Sequence, residues 1–128
     1  MNNYTIGKLP NGLEYILLDI PYSYSISICV SIKVGSNDEE PHVNGISHLL
    51  EHLIYKSNYR FPTKFDLYRE LDSIGASYNA YTDKNITTFF VKSHHKYQGK
   101  LLEIFSSLIC VPSIKLEDLE NEKNVVIE

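Results

Sequence analysis

The chain has 128 residues, 43% of them hydrophobic and 22% charged, which suits one soluble globular domain, or part of a larger one, with a real core. A net charge of −4 gives no basic footprint, so nucleic acid is not an expected partner. The most apolar stretch, 26–34, is short and broken by serines and a lysine, and the start Met1-Asn2-Asn3-Tyr4 lacks the basic and apolar regions of a signal peptide. A cytoplasmic protein with no membrane partner is therefore expected. Cys29 and Cys110 both lie in apolar stretches and read as buried free thiols.

In chain order, Tyr4–Leu9 reads as a short strand closed by the turn Pro10-Asn11-Gly12, and Leu13–Asp19 as a second. Tyr24–Val34 alternates: Tyr24, Ile26, Ile28, Val30 and Ile32 share one face, the pattern of a half-buried strand. Gly35–Pro41 is polar and rich in turn residues, so it is a loop. Asn44 is the expected N-cap of a helix whose apolar stripe is Ile46, Leu49, Leu50, Leu53 and Ile54. Thr63 caps a second helix, with Phe65, Tyr68 and Leu71 inward and Leu67 at the margin, ending at Gly75. Ala76–Thr82 and Ile86–Ser93 form a strand pair about the turn Asp83-Lys84-Asn85. Lys96–Cys110 is helical by period, with Leu101, Leu102, Phe105, Leu108 and Ile109 inward, and Leu116–Glu128 is a last, charged helical segment. The order implies one α+β domain over residues 1–128, an antiparallel sheet covered on one face by helices.

The chemistry gathers at His48-Leu49-Leu50-Glu51-His52. Residues four apart on a helix return to within about 40° of each other, so the two imidazoles stand side by side. Both can then reach one zinc ion at about 2.0–2.1 Å. Glu51 leans to the same side, where its carboxylate can take the proton of a zinc-bound water and pass it to a leaving amine. This is the inverted H-x-x-E-H order of a zinc peptidase signature. Two surface histidines beside a salt-bridging glutamate would give the same five residues. A catalytic zinc also needs a third protein ligand. His42, His94 and His95 are available, but the acidic last helix, with Glu117, Glu120, Glu122 and Glu128, is the better supplier.

With those residues in view, the chain resembles the pitrilysin/insulinase family of zinc metallopeptidases, which also contains the mitochondrial processing peptidases. The matching stretches run nearly end to end: LPNGLEYILLD; VSIKVGSNDEEPHVNGISHLLEHLIYKS, including Gly35-Ser36, Glu40, Gly45 and the motif; LDSIGASYNAYTDKNITTFFV; and LENEKNVVIE. The resemblance implies a zinc-dependent endopeptidase acting on peptides or unfolded segments, with His48 and His52 as zinc ligands and Glu51 as general base. It implies that Asn79, Ala80 and Tyr81, on an edge strand 77–82, bind substrate backbone, and that Glu122 is the auxiliary acid. The family's third ligand follows that acid by two helical turns. The local pattern EKNVVIE puts it at position 129, whereas the distance from the motif lets Glu128 serve. The resemblance also implies that this is the first half of a metallopeptidase domain, an N-terminal portion partnered by a C-terminal half or a homologous subunit, and weak in hydrolysis alone. A non-catalytic, partner-binding homologue is the alternative, and an unrelated α+β module with a chance motif a third.

Overall fold

A computed structural model describes residues 3–126. Its strands are β1 (Asn3–Lys8), β2 (Glu14–Asp19), β3 (Ser25–Ile32), β4 (Ser77–Thr82) and β5 (Thr87–His94). Its helices are α1 (Ile46–Ile54), α2 (Lys64–Ser73), α3 (Gln98–Cys110) and α4 (Leu116–Val126). The α+β architecture is the expected one, with the antiparallel strands divided between two sheets. β1 and β2 form a hairpin, and the second sheet has the order β3-β5-β4, which leaves β4 at an edge.

Strand alternation decides which face of the second sheet is buried. Register places Ile28, Val91 and Tyr78 in one cross-strand row and Val30, Phe89 and Ala80 in the next. These rows pack with Ile54 of α1, Leu67 and Leu71 of α2, and Leu101, Ile104, Phe105 and Leu108 of α3. At about 25 cal/mol per Å² of apolar surface removed from water, these side chains dominate the stability of the domain.

Several sequence expectations need correction. Gly45, not Asn44, caps α1: its φ of 91° is left-handed, a conformation that glycine adopts without cost. Phe65 is 68% exposed while Leu67 is fully buried, because Phe65 sits in the first turn of α2, short of the sheet. On α3 the stripe is Leu101, Ile104, Phe105 and Leu108; Leu102, a step of about 100° from Leu101, faces out. Tyr24 and Ile32, at the ends of the β3 row, are exposed, as are Ile46 and Leu50 on α1. Cys29 and Cys110 are free but exposed. Cys29 alternates onto the outer face of β3, and Cys110 ends α3. Among the described residues no helix is long and apolar enough to cross a membrane.

Buried polar contacts carry the chain out of α1. Asn58 accepts from the backbone N–H groups of Arg60 (2.8 Å) and Phe61 (2.7 Å) and donates to Ser107 (3.2 Å). Ser57 donates to the Ser113 carbonyl at 3.0 Å, tying the end of α1 to the approach to α4. α4 thereby lies against α1, the contact on which the site depends.

Candidate metal centre

The start of α1 is held by an acid outside the helix. The Glu39 carboxylate accepts from the N–H groups of Gly45 (2.6 Å) and Ser47 (2.8 Å), satisfying donors that the helix leaves free. These two bonds hold the Glu39 carboxyl below its usual value. The acid that does this is Glu39; Glu40 faces His42 at 3.4 Å on the surface.

One turn along, the ring nitrogens of His48 and His52 approach each other. The two Nε2 atoms lie 3.1 Å apart, with the rings edge-on at 88°. Two nitrogens each about 2.0–2.1 Å from a tetrahedral ion lie roughly 3.3 Å apart, so the pair suits a shared metal with little movement. Glu51 joins them, and the ligand atoms of His48, Glu51 and His52 all fall within 4.8 Å of one another. Imidazole nitrogens are donors that zinc accepts, and the carboxylate beside them is placed to face a water on such an ion.

Glu122 of α4 supports this group from behind. It is 6% exposed, and its Oε2 lies 2.9 Å from His52 Nδ1. Its other oxygen is paired with Lys56 Nζ. Burial raises the Glu122 carboxyl, but the hydrogen bonds from Lys56 and His52 outweigh that and hold it below its usual value. An ionised carboxylate only accepts, so His52 donates from Nδ1 and keeps its Nε2 lone pair for a metal.

Glu51 has its own partner. The Thr82 hydroxyl donates to Glu51 Oε2 at 2.5 Å. Beside it opens a cleft of about 310 Å³, bordered by Glu51, His52, Tyr55, Tyr78, Asn79 and Ala80 among others. The Tyr55 phenol donates to the Asn79 carbonyl at 3.1 Å, and burial, with the Glu51 charge nearby, raises its pKa.

Of the residues expected from sequence, His48, Glu51, His52 and Glu122 converge, and Asn79 and Ala80 border the same cleft. Tyr81 does not line it: alternation along β4 turns its ring outward, as it does the Asn79 side chain, and the Asn79 carbonyl is what Tyr55 reaches at the cleft. Glu128 lies outside the described residues. His94 and His95 stack on each other, 4.7 Å between centroids, and do not join the cluster. Sequence reasoning missed Lys56, Thr82 and Glu39. Lys56 was within reach, because it follows His52 by four and shares its helical face; no sequence signal marked the others.

Known proteins match this arrangement. The family model described as Insulinase (Peptidase family M16) matches residues 15–128. An uncharacterized zinc protease of Rickettsia bellii is 32% identical over 126 residues, 98% of this chain and 30% of that protein. Mitochondrial-processing peptidase subunit beta of Caenorhabditis elegans is 33% identical over 122 residues, 95% of this chain and 26% of that protein. The crystal structure of a protease from Helicobacter pylori superposes with a TM-score of 0.90 at 28% identity, covering 98% of this chain and 30% of that one. The chain thus spans under a third of the length of these relatives. The expected cofactor, zinc, agrees with the relative's name and with the cluster on α1.

Proposed function

The chain belongs to the insulinase family, peptidase family M16, and from that premise we propose that it carries the metal-holding and proton-transferring part of a zinc endopeptidase. The substrates are peptides or unfolded segments. The observation that carries this reading is the bracing of His52. Glu122 holds Nδ1 at 2.9 Å, while Nε2 turns to His48 at 3.1 Å with Glu51 alongside. A solvated helix face has no reason to bury an acid behind one of its histidines.

His48 and His52 hold the metal, and zinc, when bound, supplies a Lewis acid that makes water a competent nucleophile near neutral pH. Glu51 accepts the proton of the attacking water as its oxygen adds to the peptide carbonyl carbon. Glu51 then returns that proton to the amide nitrogen as the C–N bond breaks, and the second water proton passes from the new carboxylic acid to the amine, leaving a carboxylate and an ammonium. The edge strand β4 pairs with extended substrate backbone at Asn79 and Ala80, the substrate replacing the Asn79 side chain that now accepts from the Ala80 N–H at 2.9 Å, a mode that asks little of side-chain sequence. Glu122 positions His52. The third ligand belongs to the segment after Glu122. A C-terminal half or a homologous subunit covers the site. The non-catalytic alternative has no observation in its favour while His48, Glu51 and His52 are all in place.

The test is hydrolysis of an unstructured fluorogenic peptide by the polypeptide as its host makes it, with and without Glu51→Gln. Cleavage should fall by at least about 100-fold, with the metal retained. Zinc-loaded protein that cleaves no peptide would overturn the reading, and cleavage that survives the substitution would overturn the role of Glu51.

A further inference from the structure

We propose that Thr82 is the positioning residue for the general base, holding the Glu51 carboxylate in one orientation through its hydroxyl. The inference rests on the peptidase reading and adds to it a residue with no part in metal ligation. A glutamate on a helix surface rotates about three side-chain bonds, and a base so free is rarely aligned with its proton. Thr82 Oγ1 sits 2.5 Å from Glu51 Oε2, the short range of a hydroxyl donating to an ionised carboxylate. One oxygen is thereby engaged, and the other keeps its lone pairs for proton transfer. Threonine suits this duty because branching at Cβ stiffens its first torsion.

The backbone around Thr82 fixes the distance between the two residues. Thr82 is the last residue of β4, paired with Thr87 across the hairpin. The following turn is gripped by the loop after β3. Ser36 N–H donates to the Asp83 carbonyl at 3.2 Å and Asn37 N–H to the Lys84 carbonyl at 2.8 Å. The approach is close enough that a Cβ on Gly35 would lie 2.2 Å from the Asp83 oxygen, so only glycine fits there. A few residues on, the Glu39 carboxylate grips the N-terminus of α1, the helix that carries Glu51. The segment from Gly35 to Glu39 thus holds the hairpin with one end and the helix with the other. The spacing between Thr82 and Glu51 is set by this brace.

Thr82→Val keeps the branched shape and removes the hydroxyl, and Thr82→Ser keeps the hydroxyl. In the polypeptide as its host makes it, Thr82→Val should lower kcat on a fluorogenic peptide roughly 10- to 100-fold. KM and zinc content should stay at wild-type values, and Thr82→Ser should recover most of the loss. A second readout needs no activity. In the same polypeptide freed of metal at neutral pH, labelled with ¹³C at glutamate, the Glu51 carboxylate resonance should move in Thr82→Val and return in Thr82→Ser. A Thr82→Val kcat within about twofold of wild type, loss of zinc in that variant, or an unmoved Glu51 resonance would each overturn the proposal. If wild-type zinc-loaded protein cleaves nothing, the peptidase reading fails, and the resonance still decides whether Thr82 holds the carboxylate.

Discussion

Replacing Glu122 by glutamine keeps the shape of the side chain and removes its charge. In the wild type one carboxylate oxygen faces His52 Nδ1 at 2.9 Å and the other pairs with Lys56. Both oxygens accept. An amide offers one oxygen and one NH₂, so it can accept from only one of the two donors. If the oxygen faces Lys56, the NH₂ faces His52 and forces the imidazole proton onto Nε2, the atom a metal needs. If the oxygen faces His52, the NH₂ points at an ammonium. The change falls just behind a metal ligand, where losing a partner typically costs 10- to 100-fold in metal affinity, or about 1.4–2.8 kcal/mol. Chelator competition on purified protein measures the zinc dissociation constant directly. Glu122→Gln should weaken it at least tenfold with the fold retained by circular dichroism. Affinity within twofold of wild type would refute the claim that Glu122 orients His52.

Three further outcomes follow from the same contacts. Leu67→Ala removes a fully buried side chain between α2 and the sheet and should cost about 2–5 kcal/mol in chemical denaturation. Glu39→Gln should unfold more readily near neutral pH and less so in acid. The Glu39 carboxyl is held below 4.5, so its contribution is present above that value and fades as pH falls through the lower folded value. A denaturation series across pH should therefore show the two proteins converging in acid. Lys56→Met leaves the buried Glu122 charge without its ammonium partner, and its cost should exceed the roughly 0–1 kcal/mol of an exposed pair. Matched denaturation of Arg60→Met, which breaks the exposed bridge to Glu103, supplies that comparison.

The motif and its helix were legible in the sequence because helical period ties residue spacing to direction in space. Four positions put His48 beside His52, and the back face at Leu53 and Ile54 confirmed which side was buried. The edge position of β4 was legible through the resemblance. Interactions between elements were not. Glu122 reaches His52 across 70 positions and Thr82 reaches Glu51 across 31, distances at which no local pattern carries information. Phe65 and Leu102 misled because hydrophobicity says that a residue can be buried, whereas the neighbouring element decides whether it is. The cap of α1 misled for a similar reason: asparagine is the better local cap, but a left-handed Gly45 brings its N–H to Glu39 from another segment.

Every role proposed for the site depends on His48 and His52 holding a metal. Elemental analysis of the polypeptide as its host makes it, beside its His52→Ala variant, measures that property most directly. About one zinc per chain in the wild type and none in the variant is the predicted result. A wild-type protein without zinc, or a variant that keeps it, would contradict a metal held by His48 and His52.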